Sequence, residues 1–336
     1  MKKQVKSINF KTIEKTAKNI KNQVLKTPCT KNYWLTDVVN LATDKNFPNI
    51  YIKWENQQLT GSFKLRGAFN KLLRLKKLGI KEVLGVSAGN HGLGMAYAAS
   101  KLGMQSTIVV PKTAVATKIA GIKRFRANLV IEGEDYDKAE IIARQMAKER
   151  KIEFVSPYND LEIIAGQATI AVEMLKNHSF DLLLVPVGGG GLLAGCAIVG
   201  AKYKIDVIGV QPANSTAMQS SFQAGEIVKV TELPTIADGL SGNLEDNTCT
   251  FPIIKKYVKD IVTVTEEEIE QTIFNFLLND HQIIEGSGAV AAAALLTNKV
   301  DFAKYKNIGV IVSGGNIDLG KTKGIIDKYL TKQPIT

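Results

Sequence analysis

The chain has little cysteine, little arginine, and no unbroken apolar run long enough to cross a membrane. Its three cysteines, Cys29, Cys196 and Cys249, are far apart and odd in number. That excludes a disulfide framework, fits no zinc-ligand spacing, and implies a reducing compartment, the cytoplasm. Of the 43 basic residues only six are arginine (Arg66, Arg74, Arg124, Arg126, Arg144, Arg150), and the lysines behind the net charge of +11 are scattered. Nucleic-acid surfaces cluster arginine with aromatics, so this charge reads as a solvated lysine surface with no nucleic-acid partner. Leu182 to Ala201 carries no charge, but Pro186 and four consecutive glycines cut it into a short strand and a short helix, so no membrane partner is expected. Met1 to Lys26 alternates lysines with single apolar residues. It lacks the apolar core of a signal peptide and reads as a surface helix.

What is present is a soluble globular composition. At 336 residues with 45% hydrophobic content, the chain has room for two domains, each with its own core. Apolar, β-branched runs recur at Ile50 to Lys53, Glu82 to Ser87, Ser106 to Val110, Asn128 to Ile131, Glu153 to Val155, Leu182 to Val187, Val207 to Gln211, Ile261 to Val264 and Ile308 to Val312. Helical patterns separate them. Such alternation predicts an α/β fold with mostly parallel sheets and helices on both faces. The strands between residues 80 and 156 predict a small α/β domain inserted in a larger one formed by 1–79 and 157–336. There is no internal repeat and no low-complexity tract.

Lys64 stands in Gln57 to Ala68 between Phe63 and Leu65, with glycines three places to either side. Leu65, Ala68, Phe69, Leu72 and Leu73 have helical spacing, and Thr60 and Ser62 are cap-type residues, so Lys64 is expected in a first helical turn. There the helix dipole and burial both favour the neutral amine, which attacks carbonyls and abstracts protons. Two glycine clusters follow strands: Ser87-Ala88-Gly89-Asn90-His91-Gly92-Leu93-Gly94, and Gly188 to Gly191 before a helix starting at Leu192. The second predicts an anion site on bare backbone N–H groups. Two nucleotide readings compete with this. Gly189, Gly191 and Ala194 fit a dinucleotide pattern, but the expected ribose-binding acid is Gln211, which argues against a dehydrogenase. Gly315 to Thr322 matches a P-loop letter for letter, yet only fourteen residues follow it, too few for the rest of an NTPase domain. The match is therefore read as coincidental.

In order along the chain, Ser62-Phe63-Lys64-Leu65-Arg66-Gly67-Ala68, Ser87-Ala88-Gly89-Asn90-His91, Gly188 to Gly191, Thr235-Ile236-Ala237-Asp238-Gly239, Glu285-Gly286-Ser287-Gly288-Ala289-Val290 and Ser313-Gly314-Gly315-Asn316 resemble pyridoxal-phosphate enzymes of fold type II, the tryptophan synthase β-like fold. The nearest look is to threonine/serine dehydratases (ammonia-lyases) and the related serine racemases, from about Thr27 to Gly320. The resemblance implies pyridoxal 5'-phosphate held covalently by Lys64, which then serves as base on the substrate α-proton. It implies phosphate binding by Gly188, Gly189, Gly190, Gly191 and the N–H of Leu192. Asn90 would meet the ring 3-oxygen and Ser313 the pyridine nitrogen, where a neutral hydroxyl leaves the ring a weaker electron sink suited to elimination. Ser87, Ala88, Gly89, Asn90 and His91 would hold the substrate carboxylate, with Asp238 and Gly239 in the substrate pocket. His178 and His281 receive no role.

Two departures refine the reading. Related racemases keep a serine directly before the Gly-Asn-His, where this chain has Ala88, and that favours a dehydratase. Gln211 to Ala217 lacks the carboxylates with which some relatives bind a divalent cation, so no metal is expected there. The expectation is a cytoplasmic homodimer that takes a small amino acid, threonine or serine first, to a 2-oxo acid and ammonia. It is expected to lack a C-terminal regulatory domain and isoleucine feedback. Serine racemase, or a dehydratase of 3-hydroxyaspartate or phenylserine, is the alternative, and a P-loop NTPase a remote one.

Overall fold

The computed structural model describes residues 7–43, 48–114 and 116–331. The strands are β1 (Cys29–Lys31), β2 (Asn49–Trp54), β3 (Glu82–Val86), β4 (Gln105–Val110), β5 (Asn128–Ile131), β6 (Glu153–Phe154), β7 (Leu182–Pro186), β8 (Asp206–Pro212), β9 (Asp260–Val264) and β10 (Asn307–Val312). The helices are α1 (Phe10–Ile20), α2 (Tyr33–Thr43), α3 (Lys64–Lys77), α4 (Asn90–Leu102), α5 (Ala116–Lys123), α6 (Tyr136–Glu149), α7 (Leu161–Met174), α8 (Gly191–Tyr203), α9 (Ala217–Ala224), α10 (Thr250–Tyr257), α11 (Glu266–Asp280), α12 (Gly286–Leu296) and α13 (Leu319–Leu330). Nine strands fall where the apolar runs predict them. The short β1 was not foreseen, because three residues carry too little periodicity. It is also the antiparallel member, laid along β2.

The strands form two sheets, one of order β1-β2-β10-β7-β8-β9 and one of order β5-β4-β3-β6. The rest of the pairing is parallel, as β-helix-β alternation requires. The two-residue period sends neighbouring side chains to opposite faces. Leu182 and Leu184 of β7 enter one core with α11 and α12, while Leu183 and Val185 enter another with α7 and α8. The smaller sheet divides likewise: Val83, Ile108 and Val110 pack with α3 and α4, and Leu84, Val86 and Val109 with α6. Each fully buried apolar side chain of this kind contributes roughly 1.5–3 kcal/mol. The described part of the N-terminal stretch forms α1, which buries Ile13, Thr16 and Ile20; residues 1–6 lie outside the described residues.

The helix that carries Lys64 joins the two sheets. Its apolar stripe, Leu65, Ala68, Phe69 and Leu72, packs into the core of the smaller sheet. Its beginning is stitched to the larger one: the Phe63 N–H donates to the Ser313 carbonyl at 3.0 Å, and Ser62 bridges Gly314. Thr60 and Ser62 therefore do not cap the helix as their residue types suggest. The residue before the helix is Phe63, and no side chain caps it. Strand-like bonds to the chain after β10 hold this start instead.

Behind α3 lies a buried ion cluster. Arg66, fully buried, donates through Nε to Glu55 (2.7 Å) and through its terminal nitrogens to Glu55 (2.8 Å), to Glu173 (2.7 and 2.9 Å), to Thr169 (3.3 Å) and to the Leu25 carbonyl (3.1 Å). Lys53 reaches Glu173 at 2.8 Å and the Thr27 carbonyl at 2.7 Å. Two cations face two carboxylates, so the cluster is neutral, and the guanidinium's five donors are all engaged.

Candidate active site

The expected site residues lie past the carboxyl ends of β2, β3, β7 and β10, the end at which open α/β sheets bind ligands, except Asp238 and Gly239, which lie in a short turn between α9 and α10. Lys64 opens α3, and its Nζ donates to the Pro157 carbonyl at 3.1 Å. The residue is half-buried. Desolvation of its amine, opposed by the negative field of Glu285, draws the pKa down to about 8. The amine thus has a sizeable neutral fraction at physiological pH, which ordinary lysine lacks.

Gly188, Gly189 and Gly190 link β7 to α8, whose first residues are Gly191 and Leu192, one position earlier than the sequence suggests. Each of the three has to be glycine. A Cβ on Gly188 would lie 2.9 Å from Leu240 Cα, one on Gly189 2.4 Å from the Tyr158 ring, and one on Gly190 2.6 Å from Ile254 Cδ1, with φ at +89° besides. No side chain caps α8, and its opening turn presents backbone alone, the arrangement that binds phosphate. At α13 the Asp318 carboxylate takes the Gly320 N–H at 2.8 Å, and the Gly315 N–H is bonded to the Gly61 carbonyl at 2.9 Å. The P-loop-like string therefore folds as a capped helix start, with a carboxylate where a phosphate would sit.

Ser87 follows β3, and its Oγ accepts the Gly89 N–H at 3.0 Å. Ala88 and Gly89 form the turn, and Asn90 and His91 open α4. His91 is buried. Its Nε2 faces the Val155 carbonyl at 3.1 Å and so carries the proton, while its Nδ1 has no protein partner. Burial, then the Lys64 charge, pushes its pKa down to about 3. The ring is therefore neutral, and its N–H is engaged by the Val155 carbonyl. Ser313 follows β10 and donates to the Ser287 carbonyl at 3.0 Å. Gly239 donates to Ser287 Oγ at 3.0 Å, and Asp238 pairs with Lys118 of α5 at 2.7 Å. His178 stacks on Tyr51 and faces the Cys29 carbonyl, and His281 ends α11 in the left-handed region.

Three residues at this cleft make contacts that the sequence does not display. Tyr158 covers the glycine loop, with its hydroxyl accepting the Glu245 N–H at 3.1 Å. Asn316 and Glu285 bracket Asn90, donating to it at 2.7 Å and accepting from it at 2.6 Å respectively. One signal was available in the sequence: Glu285 is an acid directly before α12, Gly286 to Leu296, a helix without a charged residue.

A partly neutral lysine, an uncapped glycine-lined helix start and buried unpartnered oxygens on Thr60 and Ser62 define an enzyme whose pocket fits a phosphorylated carbonyl cofactor bound through its amine. Residues 21–314 match the family described as "Pyridoxal-phosphate dependent enzyme", and the chain belongs to that family. It is 39% identical over 330 residues to the L-threonine ammonia-lyase of Thermotoga maritima, covering 97% of this chain and 80% of that one. Its fold superposes on maize serine racemase with a TM-score of 0.87 at 28% identity (96% of this chain, 98% of that chain). It also superposes on the processed form of threonine deaminase isoform 2 from Solanum lycopersicum with a TM-score of 0.84 at 29% identity (96% and 94%).

Proposed function

We propose that this protein is an ammonia-lyase that converts a β-hydroxy amino acid, threonine or serine first, to a 2-oxo acid and ammonia, with water lost by β-elimination and regained on hydrolysis. The observation that carries the reading is the Lys64 amine, pulled down to about pKa 8 beside an uncapped glycine cradle. Bound pyridoxal phosphate would supply an electron sink for the charge that develops when the α-proton leaves. The chain's own residues do the rest. Gly188 to Gly191 and the Leu192 N–H would hold the phosphate, Asn90 and Ser313 would hold the ring's polar atoms, and Ser87 with the Ala88 amide would hold the substrate carboxylate, the Gly89 N–H being bonded to Ser87 Oγ. Lys64 would take the α-proton as a neutral amine, the Cβ–O bond would break with the hydroxyl leaving as water on gaining a proton, and the enamine product, in its imine form, would add water and lose ammonia to give the 2-oxo acid. Asp238 and Gly239 line the substrate side, where Asp238 pairs with Lys118.

Racemisation is the second reading, since serine racemases share the fold. It requires a proton donor on the cofactor face opposite Lys64, and Ala88 has a methyl where those enzymes are expected to keep a hydroxyl. The protein works as a homodimer in the cytoplasm on this reading, supported by the family resemblance and the scarce, unpaired cysteines. Among the described residues no helix is long and apolar enough to cross a membrane. A panel of threonine, serine, 3-hydroxyaspartate and phenylserine, read as released ammonia with chiral analysis of the remaining substrate, tests the assignment. Abundant D-serine with little ammonia would replace it by a racemase.

A further inference from the structure

We infer that Glu285 is a positioning residue that, together with Asn316, holds the Asn90 amide in one orientation toward the bound cofactor. The inference rests on the reading of the pocket above. Its basis is a ladder of hydrogen bonds with one consistent polarity. The Thr60 carbonyl can only accept, and it accepts a hydrogen bond from Asn316 Nδ2 at 2.8 Å. The same nitrogen donates at 2.7 Å to Asn90 Oδ1, which makes that oxygen the acceptor and turns Asn90 Nδ2 toward Glu285 Oε1 at 2.6 Å. One N–H of Asn90 is left for the pocket. Reversing the amide would set donor against donor at Asn316.

Three observations separate this role from a helix cap or a filler. Glu285 precedes α12 directly, yet its side chain makes no capping bond to that helix. It turns away to Asn90. Gly314 leaves the room this needs, since a Cβ there would lie 2.4 Å from Glu285 Oε1; a Cβ on Gly61 would lie 2.4 Å from Asn316 Oδ1. Glycine at these two places leaves room for the ladder, and Gly61 also has φ at +72°. Glu285 is also 7% exposed, and burial followed by the field of Asp238 raises its pKa to about 7 against the pull of the Asn90 bond, Lys118 and the Asn316 backbone N–H. Lys64 faces it across the cleft.

The test is a double-mutant cycle on the apoprotein, read as the dissociation constant for pyridoxal phosphate by equilibrium dialysis, with circular dichroism to verify folding. Asn90→Ala and Glu285→Leu should each weaken binding about tenfold, the size of one hydrogen bond lost or misdirected. The double variant should also lose about tenfold, because the second change removes a support whose object is gone. Glu285→Gln, close to isosteric, should fold and remove any pH dependence of the bound cofactor's visible band between pH 6 and 8. A hundredfold loss in the double variant, or wild-type affinity in Glu285→Leu, overturns the inference and leaves the pocket assignment intact. An unmodified apoprotein that takes up no cofactor overturns both.

Discussion

At the scale of single residues, the proposed chemistry turns on Lys64. Its folded pKa of about 8 lies below the ordinary lysine value of 10.5 because burial outweighs the Glu285 field. The neutral amine therefore dominates only above pH 8. Uptake of pyridoxal phosphate by the apoprotein, followed by absorbance, should quicken about tenfold per pH unit below 8 and level off above it. A rate still climbing at pH 10 would place the amine in an ordinary solvated setting. Lys64→Ala should keep the fold and lose turnover by several orders of magnitude, since one group both tethers and moves the proton. More than a tenth of wild-type ammonia release would move the base elsewhere. Ala88→Ser puts a hydroxyl where racemases are expected to have one. It should raise D-serine formation from L-serine and leave ammonia release within about tenfold, about 1.4 kcal/mol of barrier. Chiral chromatography after partial turnover decides it.

Glu285 has the opposite sign of linkage. Its folded pKa of about 7 stands above the ordinary 4.5, so the folded state binds the extra proton between those values. That contribution to stability is full below pH 4.5 and lost as pH rises through 7. The apoprotein's unfolding midpoint in urea should accordingly fall over this window more steeply than that of Glu285→Gln. Parallel curves for the two proteins would show that the carboxyl is not the group that titrates.

At the scale of elements, α8 and α13 show how similar glycine-rich strings acquire different fates. Both follow a parallel strand of the larger sheet. The start of α8 is lined by glycines pressed against Leu240, Tyr158 and Ile254, so that no Cβ fits. The start of α13 carries Asp318, whose carboxylate engages the amides that a phosphate would need. Gly190→Ala adds a Cβ at φ +89° and 2.6 Å from Ile254 Cδ1. Strain of about 1 kcal/mol or more together with that overlap should displace the turn and weaken cofactor affinity at least tenfold. Unchanged affinity in equilibrium dialysis would show that the phosphate lies elsewhere. Of α3, the sequence displays the apolar stripe and the place of Lys64. It misleads at the cap, where Thr60 and Ser62 have the right residue types but the main chain after β10 supplies the bonds.

At the scale of the whole molecule, the site is held together by what joins the two sheets. Arg66 sits two residues from Lys64 and ties α3 to Glu55 beyond β2 and to Glu173 at the end of α7. Removing one partner of a buried cluster leaves uncompensated charge, at a cost of about 3–5 kcal/mol. Arg66→Met should therefore lower the urea midpoint of the apoprotein by a large fraction. A midpoint within experimental error of wild type would show that the cluster contributes little. The Lys118 to Asp238 pair also spans the cleft, but both groups are partly exposed, and surface pairs contribute about 0–1 kcal/mol.

The sequence by itself determined the alternation of strands and helices, the lysine at a helix start, the glycine turns and the family. These are local matters of period and backbone freedom, and each is written in residues adjacent along the chain. Only the tertiary structure decided which atoms meet. The bond from Asn90 to Glu285 joins residues 195 positions apart, and that from Asn316 to Thr60 joins residues 256 apart. No periodicity reports a contact of that kind. It likewise decided that His91 is a neutral ring turned onto Val155, that Asp238 is paired with Lys118 of α5, and that the field of Glu285 reaches Lys64. Charge and polarity at a site depend on burial and on partners brought together by folding, and a residue's type along the chain carries neither.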